Sequence, residues 1–162
     1  MKLESPQARL KGFLAKFTPE IEKTASAILR AMRAHVPGAT ELVYDNYNAL
    51  AIGFAASERS RDVVFSIAVF PRWVSLFFFN GPSLPDPQKL LRGSGHVVRH
   101  IVLQDAADLD KPAIRELMKE GLRRADAPID PKAKRRLIIK SVSAKQRPRR
   151  PASAARNKQR AL

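Results

Sequence analysis

The sequence contains no cysteine. This excludes disulfides, thiolate metal sites, iron–sulfur ligation and cysteine nucleophiles together. Long hydrophobic runs are also missing. The most apolar stretch, residues 63–79, is broken by Pro71 and Arg72 and falls short of the ~20 residues that a membrane helix needs. Residues 1–7 are polar and no secretory signal follows them. A soluble, cytoplasmic protein without membrane attachment is the expectation. Acidic side chains are lacking from one region in particular. Of the 30 Lys and Arg, 12 lie in residues 131–162, where no Asp or Glu occurs; residues 1–130 are nearly balanced, with 18 basic against 15 acidic side chains. Several catalytic and binding signatures are absent too. There is no Gly-x-Ser-x-Gly elbow, P-loop lysine pattern, helix-turn-helix, zinc finger or RNA-recognition motif, and no internal repeat.

What is present is enough for one domain. The chain has 162 residues, 44% of them hydrophobic, a size and composition that can bury a core. Ser5-Pro6 reads as a helix start, and Leu10, Phe13, Leu14 and Phe17 follow at helical spacing. Thr18-Pro19-Glu20 repeats the signal: a hydroxyl cap, a proline and a carboxylate to meet the helix dipole. Ile21, Ala25, Ile28, Leu29 and Met32 form one stripe, which Pro37-Gly38 ends.

The period then changes. Residues 41–47, 49–55, 62–70, 73–79 and 97–103 are rich in β-branched and aromatic side chains and predict strands, with Pro71-Arg72 as a tight link. Both faces of 73–79 are apolar, which predicts a central strand with helices on one side and further cover on the other. A last helix carries Ile114, Leu117, Met118 and Leu122, with Asp108 or Asp110 as its cap. Helices and strands come in runs. The pattern therefore predicts an α+β domain over residues 1–128, with a mainly antiparallel sheet of about five strands packed against two N-terminal helices and one C-terminal helix. Residues 129–162 read as a basic, largely disordered tail, above all 148–162. Leu137-Ile138-Ile139 is the exception, an apolar run able to pin the tail to the domain.

Two groups of residues could carry function. Asp45, Asn46, Tyr47 and Asn48 set hydrogen-bonding side chains at a strand end. Together with Trp73, Gly93, Gly95, Arg99 and His100 they would form a polar–aromatic pocket for a small or anionic ligand, if the fold joins them. The second group is the basic segment: Lys132, Lys134, Arg135, Arg136, Lys140, Lys145, Arg147, Arg149 and Arg150. Such a run attracts nucleic acid or ribonucleoprotein without sequence preference. His96 and His100 would share a helix face, but in a strand they stand ~13 Å apart, too far for one metal ion. Exposed edge strands would also allow a homodimer.

Several segments together resemble the YdhG-like domain of unknown function. They are Glu41-Leu42-Val43-Tyr44-Asp45-Asn46-Tyr47-Asn48-Ala49-Leu50, Phe70-Pro71-Arg72-Trp73-Val74-Ser75-Leu76-Phe77-Phe78, Leu84-Pro85-Asp86-Pro87, Leu90-Leu91-Arg92-Gly93-Ser94-Gly95 and Arg99-His100-Ile101. The resemblance spans roughly residues 10–125. It implies a small α+β domain and, for one branch, a frataxin-like carrier of weakly held ferrous iron, for which Glu20, Glu22, Glu41, Asp45 and Asp62 are the available acids. The leading expectation is a non-catalytic binding module without a cofactor. The iron carrier is the alternative, and a small enzyme using Asp45, Arg99 and His100 is the second alternative.

Overall fold

A computed structural model describes residues 4–151. Helices α1 (Pro6–Leu14) and α2 (Pro19–His35) open the chain, and strands β1 (Thr40–Asp45), β2 (Leu50–Ala55), β3 (Val63–Val69), β4 (Val74–Phe79) and β5 (Val98–Leu103) follow. Helix α3 (Pro112–Arg123) and strand β6 (Arg136–Val142) complete the fold. The strands form one sheet in the order β5-β4-β3-β2-β1-β6. Every pair is antiparallel except β1 with β6, which is parallel. The α+β architecture is as the sequence predicts, with six strands rather than about five.

Local chemistry sets the helix starts. The Ser5 hydroxyl accepts the Ala8 N–H at 3.1 Å, and the Thr18 hydroxyl accepts that of Ile21 at 3.4 Å. Glu20 and Glu22 lie in the first turn of α2 and Arg33 and His35 in its last, each sign matching the helix dipole. For α3 the expected cap differs. Lys111 occupies the cap position and makes no side-chain capping bond, while Pro112 opens the helix. Asp108 instead closes the preceding 3-10 turn, accepting the Gln104 N–H at 2.7 Å and pairing with Lys111 at 2.9 Å. Burial pushes its carboxyl up, but Lys111 and the backbone N–H groups outweigh that and hold it below the usual aspartate range.

The two faces of the sheet differ. One carries Val43, Leu50, Ile52, Phe54, Phe65, Ile67, Val69, Val74, Leu76, Phe78, Ile101 and Leu103, buried in one core with Phe17, Ile28, Met32, Ile114, Leu117 and Met118 from the helical side. Phe65 and Phe78 meet edge to face at 5.6 Å. Truncating either ring to alanine is expected to cost ~3–5 kcal/mol, because the packed surroundings cannot collapse into the gap. Side chains alternate along a strand, so the other face presents Ala51, Gly53, Ser66, Ala68, Ser75, Phe77, His100 and Val102. Near β1 that face is closed by a small cluster of Leu42, Ala55, Val63, Tyr44, Phe79 and Ile138. The further cover expected over β4 is partial among the described residues: Ser75 and Ala68 are buried, Phe77 is half-buried and Val102 is exposed.

Residues 129–151, expected as the start of a largely disordered tail, contribute strand β6. Leu137 and Ile139 face the helical core, and Ile138 faces the cluster on the opposite side. The return is fixed at Gly38, which adopts φ +81 against the backbone of Asp130. A Cβ there would lie 2.0 Å from the Asp130 carbonyl oxygen, so any larger residue would push the segment away. Residues 152–162, with the rest of the disorder expected over 148–162, lie outside the described residues.

Candidate functional site

Strand β1 directs Glu41, Val43 and Asp45 to the helical side, so two carboxylates enter an otherwise apolar layer. Each is met by cations. Arg33 donates through Nε to both Glu41 oxygens at 3.1 Å and through Nη2 to Oε1 at 2.9 Å, and Arg135 donates to Oε2 at 2.8 Å. At the other end of β1, Arg149 donates to Asp45 Oδ1 at 2.9 Å, with Lys16 Nζ 3.4 Å from Oδ2. Arg149 is itself 5% exposed and also donates to the carbonyls of Asn46 and Tyr47. Its guanidinium lies 5.7 Å from the centre of the Phe17 ring. A buried ion pair survives in low dielectric only with such supplementary hydrogen bonds.

These contacts hold the segment after β6 against the turn between β1 and β2. The Ser143 N–H donates to the Asp45 carbonyl at 2.8 Å, and the Arg147 N–H to that of Tyr47 at 2.9 Å. Gln146 Nε2 donates to the Asp45 carbonyl at 3.1 Å. Arg147 thereby comes to lie over the Tyr47 ring, 5.5 Å from its centre. The β3–β4 hairpin supplies the opposite wall. Pro71 and Arg72 form its tip, and the Phe70 N–H donates to the Trp73 carbonyl at 2.9 Å. The Phe70 and Trp73 rings stack at 4.7 Å and 19°.

Between the walls runs an open groove of about 660 Å³, lined by Asn48, Phe70, Arg72, Trp73, Arg147 and Arg150 together with three prolines. Trp73 is 43% exposed. Neither Arg147 nor Arg150 pairs with a carboxylate among the described residues, and no Asp, Glu or His lines the groove. The arrangement offers flat aromatic surface beside guanidinium groups. It can hold an anion bearing a planar ring, but it has no group suited to exchanging a proton near neutral pH.

The expected pocket residues divide between two places. Asn48 and Trp73 line the groove and the Tyr47 ring lies under Arg147, whereas the Asn46 carbonyl and the inward-turned Asp45 carboxylate both accept from Arg149. Gly93, Gly95, Arg99 and His100 sit at the far edge of the sheet. Gly95 belongs to the loop before β5, and its carbonyl, like that of Val98, accepts from Arg99. Arg99 packs directly on Gly81, where a Cβ would lie 2.5 Å from its side chain. The His100 ring stacks on Phe77 at 5.2 Å. Three strands separate β1 from β5, about 19 Å at ~4.8 Å per strand. The patch of Asp45, Arg99 and His100 considered for catalysis is therefore not assembled.

The basic residues also divide. Arg135 and Arg149 are held by the buried acids, and Arg136 and Lys140 reach Glu58, at its carboxylate and carbonyl respectively. Lys132, Lys134 and Lys145 are exposed and do not line the groove. Of the nine, only Arg147 and Arg150 line it. Of the acids considered for iron, Glu41 and Asp45 are held by arginines and Asp62 accepts from the Ser57 hydroxyl at 2.6 Å, while Glu20 and Glu22 lie in the first turn of α2. No three His, Asp or Glu side chains gather around a metal-sized space among the described residues. No helix among them is long and apolar enough to cross a membrane.

Trp73 and Arg147 are each legible in the sequence, but their juxtaposition and the stacking of Phe70 are not. The apolar run at 137–139 was the available signal. Its parallel pairing with β1 has no local signature. Compared with family models, curated proteins and solved structures, the chain matches none.

Proposed function

We propose that the chain is a non-catalytic binding module for single-stranded nucleic acid, with its primary site in the groove at the end of the sheet. The observation that carries this reading is the meeting of the stacked, partly exposed Trp73 with Arg147 and Arg150, in a groove without acidic side chains. Stacking on an aromatic plane is tolerant of sequence because every base has a π face, and guanidinium groups follow the phosphates. Exposed Lys132, Lys134 and Lys145 add attraction at longer range. The proposal includes membership among YdhG-like domains, supported by the quoted segments 41–50 and 70–78, which contribute Asn48 and Phe70, Pro71, Arg72 and Trp73 to the groove.

Fluorescence anisotropy of labelled oligothymidylate, oligouridylate and duplex DNA, at low and at physiological salt, tests the reading. Single strands are expected to bind more tightly than duplex, with affinity falling steeply with salt. Trp73→Ala should weaken binding about tenfold or more. Equal affinity for duplex and single strand, unaffected by Trp73→Ala, would leave only charge attraction and end this reading.

A further inference from the structure

The sheet face that leads away from the groove continues its chemistry. In register along β3, β4 and β5, the successive rungs on this face are Phe70 with Trp73, then Ala68, Ser75 and Val102, then Ser66, Phe77 and His100. Two stacked ring pairs thus stand on one face, separated by a floor of small side chains in which Ala68 and Ser75 are buried and Val102 is exposed. From Trp73 to Phe77 is four residues, about 13 Å along the strand, or about four nucleotides at the ~3.4 Å spacing of stacked bases.

Charge favours the same occupant. Strands β2, β3, β4 and β5 contain no Asp or Glu, so no carboxylate on them repels a phosphate. Arg147 and Arg150 stand at one end of the path. At the other end exposed Arg92 is bound to His100 through reciprocal backbone hydrogen bonds of 2.9 and 3.0 Å. Aromatic side chains on an open antiparallel face are a general means of stacking unpaired bases.

We infer that the nucleic-acid strand held in the groove extends across the open face of β4 and β5 and stacks a second base on the Phe77–His100 pair. This inference rests on the proposed function, and it makes His100 and Val102 part of the binding surface.

The test uses the full chain and two oligothymidylate probes, one of about four and one of about eight nucleotides, the short one sufficient to fill a single stacking site. The longer probe is expected to bind at least about tenfold more tightly than the shorter. His100→Glu and, independently, Val102→Glu should abolish that advantage and leave the short probe within about twofold of its original affinity. Two variants guard against a folding defect in either, checked by circular dichroism and thermal unfolding. If the long probe gains nothing over the short one, or keeps its gain in both variants, the inference is overturned while the groove stands. If the unmodified chain binds neither probe, the proposed function fails and the inference with it. Light scattering without nucleic acid supplies the remaining arm. A dimer that either variant dissociates would assign the face to a second copy of the chain and overturn the inference.

Discussion

Arg149 and Arg150 are neighbours in sequence and opposite in situation. Arg149 is buried, shared between a carboxylate, two backbone carbonyls and the face of Phe17. Arg150 is exposed at the groove and, among the described residues, donates only to the Lys16 carbonyl, at 3.3 Å. The same division runs through the whole segment: Arg135 and Arg149 point in, while Arg147 and Arg150 point out. A positive residue in a basic stretch is thus not by default a contact for a polyanion. Half of these four arginines neutralise the protein's own buried acids, and the charge left for a partner is smaller than the composition implies.

The comparison breaks most visibly at Arg149. Arg149→Ala leaves Asp45 buried with only Lys16 nearby, and should cost ~3–5 kcal/mol of stability. Arg150→Ala should stay within ~0.5 kcal/mol of the unmodified protein. Urea unfolding of both variants decides, and equal losses would remove the distinction. A smaller effect is expected at Arg135, because Glu41 keeps three hydrogen bonds from Arg33. Arg135→Ala should cost ~1–2 kcal/mol in the same measurement.

Binding sharpens the contrast from the other side. In the double variant Arg147→Ala, Arg150→Ala, the slope of log affinity against log salt for a single strand should become shallower by about 1.4, as expected for two lost phosphate contacts. Its unfolding midpoint should hardly move.

The smallest effect belongs to an ion pair away from both groups. On α3, hydrogen bonds from Arg123 and then Arg124 lower the Glu120 carboxyl from its ordinary 4.5 to about 2. A depressed folded value stabilises the protein above the unfolded value, and this contribution is lost as pH falls from about 4.5 through about 2. Glu120→Gln should therefore flatten the acid limb of the stability curve slightly, read as urea midpoints across that interval. The pair is exposed, so the change should be small beside that of Arg149→Ala.

Much of the scaffold was legible because its causes are local. Ser5 and Thr18 cap the helices where hydroxyl and proline stand together, and the alternation in 62–70 marks β3 to within a residue at each end. Pro71-Arg72 is the tight link expected of it. The site was legible only in pieces. Asp45 reads as a polar turn residue until its partner is known, and that partner lies 104 positions away. His100 and Trp73 read in the sequence as members of one pocket, yet they stand on different rungs of a sheet whose strand order no local pattern dictates. The cap of the third helix is not legible in the sequence, because acids near a proline can close the preceding 3-10 turn as readily as cap the helix.

Strand β6 has a consequence for how the protein comes into being. It follows the other five strands in the chain, yet it docks beside the first. Until it arrives, β1 has a bare edge, Asp45 lacks Arg149, and Glu41 has Arg33 alone. A nascent chain halted near residue 130 would expose both an unpaired strand edge and a poorly neutralised interior, the features that recruit chaperones and proteases. Docking of β6 thus completes the sheet, and the segment that follows it brings Arg147 and Arg150 to the groove in the same step.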